Sequence, residues 1–471
     1  MKTHGELSDH SALPIDSAAQ PPSSRWRDLV GEGLLSATAG LCLVEMTAGL
    51  QTLLVATILP RAVRDIGGIQ LYGLVFSGYM LAGIVSIPAS GADADRHGPA
   101  RPLFLYSGYF LVGTVLAALA PSMPLLVVAR LIQGYGGGAM YSLAYGIVPR
   151  LYPTQLRPKM LALLSGVWVV TGLLGPPFGA LLASTVGWRW ALAVAIPTLL
   201  LGYGVLAARV RHVSPENASA NRRQGLSPAV MLMVGSAVFL AGLSIGGWGW
   251  VAALAGLAVA LPAVNLLIPT AMRRGLVGTA LVLSFGLNMS FFTADSFLPL
   301  MLTSVRGTSL VVAGAAVTAG AISWFPGSLW QQWVAERISV RRQALISCSV
   351  LLAAEVTVAA AVVGIPLWLV FLGAIAEGLA MGVAFNLVLL MAMEPSADHG
   401  VATLMSTRFL VGRLGLVLGT GLAGVSVAAG SRGGSALTAG IAGAMGVAIV
   451  GALVALLAAW RMARGPNPSP A

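Results

Sequence analysis

Four acidic residues interrupt long apolar stretches of this sequence: Glu45, Asp295, Glu355 and Glu377. A charged side chain at the centre of a bilayer costs about 2.5–3.5 kcal/mol on insertion scales. It persists there when it pairs, lines a watery path or moves a proton. Burial favours the neutral form of a carboxyl, so an acid at membrane depth is suited to loading and releasing a proton. A proton passing through it taps about 2.3 kcal/mol per 100 mV of membrane potential. Arg130 is a cation in the same apolar setting. Two readings follow from the residues alone. Acids and arginine pair with each other and only fix helix packing, or at least one acid carries a proton.

The elements that must position these groups are spanning helices. The chain is 57% hydrophobic and 9% charged, whereas a soluble domain is about 25% charged, so lipid is its main solvent. A spanning helix needs about 20 mostly apolar residues. Fourteen runs qualify: 35–60, 71–91, 101–120, 124–148, 159–184, 189–209, 228–247, 249–270, 276–301, 309–331, 342–364, 367–393, 400–429 and 435–460. The narrowest break is Gly246-Gly247-Trp248-Gly249. This predicts an all-α membrane protein organised as an N-terminal tail (1–31), a six-helix bundle (32–211), a basic linker (212–227), an inserted helix pair (228–272), a second six-helix bundle (273–464) and a C-terminal tail (465–471).

Arginine placement orients the runs. With both termini cytoplasmic, most basic residues fall inside, in loops such as those holding Arg96, Arg150, Arg211, Arg273 and Arg341. Only Arg61, Arg64, Arg189, Arg306 and Arg432 fall outside, and Arg130, Arg408 and Arg413 stay within runs. That asymmetry obeys the positive-inside rule. The polar start holds no apolar stretch, so no cleavable signal is expected. The net charge of +11 lies in scattered short loops with no aromatic-interleaved stripe, which argues against nucleic-acid binding. Cys42 and Cys348 fall in apolar runs and read as small core residues. Histidines 4, 10, 97, 212 and 399 lie in tails or loops. No metal, cofactor or hydrolytic triad is expected, and so no enzyme.

Glycine and proline mark the moving parts. Gly134, Gly136, Gly137 and Gly138 follow Arg130 and Gln133, and Gly172, Gly175 and Gly179 surround Pro176-Pro177. Small residues let helix backbones approach closely, and the prolines remove two backbone donors. Asp95-Arg96 with Arg101 after the second run matches Glu336-Arg337 with Arg342 after the tenth, a repeat that suggests two related halves.

Gly91-Ala92-Asp93-Ala94-Asp95-Arg96-His97-Gly98 resembles the loop 2–3 motif of the major facilitator superfamily. Arg130-Leu131-Ile132-Gln133-Gly134 resembles its helix 4 motif, and Gly166 through Gly172 to Gly175-Pro176-Pro177-Phe178-Gly179 resembles the helix 5 motif of proton antiporters. The resemblance extends through Phe297-Leu298-Pro299-Leu300 and the stretch from Arg408 to Gly419. The inserted pair is similar to the fourteen-helix drug:proton antiporter branch. The resemblance implies that Gly91, Asp95, Arg96, Glu336 and Arg337 belong to a conformational latch. It implies that Arg130, with Gln133 and Gly134, serves the cavity and couples protonation to substrate. It also puts Glu45, Arg130, Asp295 and Glu377 on cavity-lining helices 1, 4, 9 and 12, with Glu355 on helix 11 ranked below them. The family's helix 1 motif places Asp nine residues before a proline; here that position is Gln51, and Glu45 is read as the substitute.

The expectation is a monomeric exporter in a bacterial inner membrane, driven by the proton gradient without a cofactor. It exchanges lipophilic or amphipathic cations for protons through Glu45, Asp295 and Arg130. A dedicated exporter of one metabolite or lipid is the alternative, and an uptake permease a further one.

Overall fold

A computed structural model describes residues 25–31, 33–213, 215, 226–245, 247–268, 270–273, 275–335, 337–393, 401–432 and 437–462. Among them the chain is helical, with no strand. The long helices are α1 (Leu35–Ile66), α2 (Tyr72–His97), α3 (Ala100–Ala118), α4 (Met123–Leu151), α5 (Arg157–Thr185), α6 (Trp188–Val210), α7 (Leu226–Ile245), α8 (Gly249–Leu267), α9 (Gly275–Ser304), α10 (Leu310–Val334), α11 (Val340–Ala359), α12 (Leu367–Met393), α13 (Val401–Arg432) and α14 (Leu437–Arg461). Lipid offers no hydrogen bonds, so each span closes its backbone bonds internally as a helix. Thirteen of these helices are long and apolar enough to cross a membrane. The remaining one, α4, has 29 residues; Arg130, Gln133 and its glycines dilute its apolar character. Exposed Phe104, Leu119, Leu254, Leu266 and Leu457 belong to the apolar outer surface that faces lipid.

The two sets of six helices pack alike. In the first, α1 packs on α5 and α6, and α4 on α2 and α3. In the second, α9 packs on α13 and α14, and α12 on α10 and α11. Across the halves, α2 meets α13 and α5 meets α10, a reciprocal pairing that the sequence repeat anticipates.

The narrow break before α8 is a true turn, with Gly247 at φ +53. The inserted helices lie against each other through Gly235, Gly242, Gly249 and Gly256. Helix α7 packs on both α2 and α13. Leu232 and Leu240 share a buried cluster there with Leu81, Ile84, Leu414 and Val417.

Some sequence boundaries shift. Helix α1 continues to Ile66, so Arg61 and Arg64 lie in its last turns. The expected loop motif is mostly the end of α2, and His97 is the last residue of that helix, bonded to Asp93 at 2.6 Å. Most of the linker and of the N-terminal tail, Glu336, Arg274 and the C-terminal tail lie outside the described residues.

Candidate functional site

The halves share one core at the end of the molecule distal to the termini. Leu54, Ile58, Tyr72, Phe76, Phe297, Leu300, Ala423 and Val427 belong to a single buried cluster. The Tyr72 hydroxyl donates to the Ser296 carbonyl at 3.2 Å, and its ring lies 5.1 Å from that of Phe297. Arg64 Nη2 donates to the Thr303 carbonyl at 3.0 Å. A Cβ on Gly73 would stand 2.5 Å from Gly424 Cα, so α2 and α13 touch backbone to backbone. At the end that carries the termini the cores are separate. One cluster holds Leu41, Ala94, Leu143, Ile147 and Leu206; the other holds Leu283, Leu351, Ala384, Leu387 and Ala455. The halves thus share a core at one end and keep separate cores at the end where α1 begins and α14 ends.

Glu45 sits on α1 in the first half and is fully buried. Its Oε1 accepts a 2.6 Å hydrogen bond from Trp168 Nε1 on α5, while Oε2 has no partner. The nearby cation is Arg413 of α13, which interacts electrostatically with Glu45 from the opposite half. Arg413 reaches α2 because Gly83 leaves room: a Cβ there would lie 2.6 Å from its Nη1. Its guanidinium carbon stands 5.7 Å from the Tyr141 ring centroid.

The other three acids form one group in the second half. Asp295 on α9 is half-buried, whereas Glu355 on α11 and Glu377 on α12 are buried. Glu377 interacts electrostatically with both Glu355 and Asp295. The Ser290 hydroxyl donates to Glu355 Oε1 at 2.6 Å; Glu355 Oε2 and Glu377 Oε1 lack partners. No ion pair to these acids is found among the described residues. Beside them, Phe291, Phe292, Trp324 and Phe385 make a chain of edge-on aromatic contacts. Glu355 therefore joins Asp295 and Glu377 although α11 is not a cavity-lining helix in the sequence reading. Ser290 and its position one α9 turn and a half below Asp295 explain why.

Arg130 lies apart from all four acids. It is buried, donates to the Val75 carbonyl at 3.3 Å and to Gln133 Oε1, and stacks 4.1 Å over Tyr79. Gln133 Nε2 passes the network on to Thr114 at 2.8 Å. The apolar residues around it, Val55, Ile58, Leu126 and Leu192, belong to the closed distal part of the first half. Gly134 brings α4 against the α2 backbone at Tyr79. Gln51, at the family's acid position, ties α1 to α6 by donating to the Leu192 carbonyl at 2.9 Å.

The latch residues hold contacts within their own half. Asp95 accepts from Arg150 at 2.9 Å, joining the ends of α2 and α4. Asp93 meets His97 and Arg101, and Arg96 is exposed. Gly91 is half-buried in α2. Arg337 stacks 4.0 Å over Trp333; Glu336 lies outside the described residues. In α5, Pro176 and Pro177 sit inside a continuous helix. Gly175 and Gly179 face Leu50, Leu53 and Leu54 of α1, and Gly172 faces Ala321 of α10. Helix α5 thus joins α1 to the opposite half.

Sequence reasoning gave no role to Trp168, Ser290, Tyr141 or Arg413. Arg413 carried a signal, a charge inside an apolar run, but its partner lies in the other half and only the fold brings them together.

Paired six-helix bundles, each with an acid buried at mid-membrane depth, are the architecture of a membrane transporter. The chain belongs to the Major Facilitator Superfamily, whose family model matches residues 41–420. It is 26% identical to "Multidrug resistance protein 3" of Bacillus subtilis (strain 168), over 82% of this chain and 78% of that protein. It is 34% identical to the "Multidrug resistance protein B homolog" of Mycobacterium tuberculosis, over 49% of this chain and 43% of that one. The fold is similar to the crystal structure of a D-xylose-proton symporter, with a TM-score of 0.65 at 15% identity, covering 92% of this chain and 98% of that one. The chain is a multi-pass transporter and not an enzyme.

Proposed function

We propose that this transporter exports lipophilic or amphipathic cations by alternating access in exchange for protons. The termini then lie in the cytoplasm, in keeping with the positive-inside rule, and the end with separate cores faces inward. Relatives named for multidrug resistance support the drug-efflux part of the reading. One observation carries the proton part. Glu45 is buried with a free oxygen, held by Trp168 on α5, and the cation that senses it stands on the opposite half. Loading a proton on Glu45 weakens its attraction to Arg413 and its bond with Trp168, because a carboxylate is the stronger acceptor. The first change acts on a contact between the two halves, and the second on the tie between α1 and α5. Asp295, with Glu355 and Glu377, offers a second acidic group in the other half. Aromatic faces beside it suit an apolar cation. The working unit in this reading is a monomer, and no cofactor beyond the proton gradient takes part.

Everted membrane vesicles with an acidified interior test the reading. A panel of lipophilic cations should discharge the pH gradient through the wild type. At equal expression, Glu45→Gln and Asp295→Asn should not respond. A wild type that moves no protons with any compound would contradict proton-coupled drug export and favour a single dedicated substrate.

A further inference from the structure

Arg408 and Arg413 stand within electrostatic reach of one side chain, Tyr141 of α4. Arg408 is 1% exposed, yet its Nε and Nη1 have no hydrogen-bond partner. Its Nη2 makes only a long 3.4 Å bond to the Phe385 carbonyl. Its guanidinium carbon lies 4.2 Å from the Phe385 ring centroid and 5.0 Å from that of Phe409. No ion pair to either arginine is found among the described residues. Glu45 is the acid that interacts with Arg413, whereas Arg408 interacts with Tyr141 and with no acid among the described residues. A buried arginine with unfilled donors is unfavourable unless an acceptor arrives. A guanidinium fork matches the two oxygens of a carboxylate or phosphate.

We propose that Arg408, Arg413 and Tyr141 form an anion-binding subsite that takes the acid group of a zwitterionic amphipath. The proposal rests on the cation-export reading and narrows its substrate class. Helix α9 gives the spacing. The Ser284 hydroxyl bonds the Arg408 carbonyl, and Asn288 abuts Gly412. Asp295 is two to three turns further along the same helix, about 10–16 Å at 1.5 Å per residue. The acid of the ligand binds at the two arginines, its cation faces Asp295, and its apolar body lies along Phe292, Trp324 and Phe385. A carboxylate on the exported molecule and the phosphate of a net-anionic lipid headgroup present the same chemistry to these arginines.

Rhodamine B carries a delocalised cation and a carboxylate; its ethyl ester keeps the cation and loses the acid. Equilibrium binding of both dyes to the purified protein in nanodiscs, with no proton gradient, isolates the acid. Wild type should bind rhodamine B about tenfold or more tightly than the ester. Arg408→Gln and Arg413→Gln should lose that preference while still binding the ester, which also reports that they are folded. Arg408→Lys keeps the charge without the fork and should retain part of the preference. Equal affinities in wild type, or a preference that survives both glutamine variants, would overturn the subsite. Loss of ester binding by wild type would instead strike at the export reading. Nanodiscs of phosphatidylcholine alone and with phosphatidylglycerol separate the two sources. A preference in both assigns the site to the exported acid, and one abolished by the anionic lipid assigns it to a headgroup.

Discussion

Glu45 and its three counterparts differ in what holds them. Glu45 has an indole donor and a cation in the opposite half. Glu355 has a serine, and Glu377 has a free oxygen. A hydrogen bond to a charged group contributes about 1.5–3 kcal/mol. Trp168→Phe should therefore cut substrate-driven proton flux about tenfold or more without abolishing it, measured beside the complete loss expected for Glu45→Gln. Asp295, Glu355 and Glu377 face one another without an intervening cation, so they act as a unit. Substrate affinity in Asp295→Asn, Glu377→Gln and the double variant should be non-additive by about 1 kcal/mol or more. Strict additivity would show that the two acids act independently. At this scale the sequence disclosed which acids are buried, because a charge inside an apolar run is conspicuous. It could not disclose partners. Glu45 and Arg413 lie in different halves, and the tie between Glu355 and Ser290 depends on how α11 rotates against α9. The same limit applies to Arg130, which the structure holds with Gln133, Tyr79 and Val75 rather than with an acid.

Helices meet where side chains are missing. Gly73 and Gly424 let α2 and α13 touch at the distal seal, and a Cβ at either would collide with backbone. Gly73→Leu should wedge the distal ends apart. Spin labels on the distal ends of α2 and α13 would show a longer distance than in the wild type, and transport would fall. An unchanged distance would mean that the seal does not depend on this contact. Helix count and order were readable from apolar run length. Even α4, whose apolar character is diluted, stood out as the run 124–148 and by its motif. Helix ends were less readable, since α1 and α2 run on through charged residues that look like loops. Membrane surfaces tolerate helical arginines because long side chains snorkel to water.

The whole molecule is two similar bundles that share a core at one end and keep separate cores at the other. Helices α7 and α8 are held on the side where α2 meets α13. If the end with separate cores is cytoplasmic, a cysteine placed at Arg306, between α9 and α10, should react with a membrane-impermeant maleimide in intact cells. One at Arg337 should react only after the cells are opened. The reverse pattern would invert the topology and contradict the cytoplasmic placement of that end. The two-bundle architecture was visible in the sequence through the charge asymmetry and the repeated acid–arginine pattern. Which end holds the shared core was not, because it depends on contacts such as Tyr72 with Ser296 that join distant parts of the chain.

The most direct measurement follows protons in liposomes reconstituted with purified protein and loaded with a pH-sensitive dye. Adding a lipophilic cation should move protons through the wild type, and Glu45→Gln, monodisperse and equally incorporated, should move none. Proton movement by Glu45→Gln at the wild-type rate would contradict the claim that this carboxyl couples export to the proton gradient.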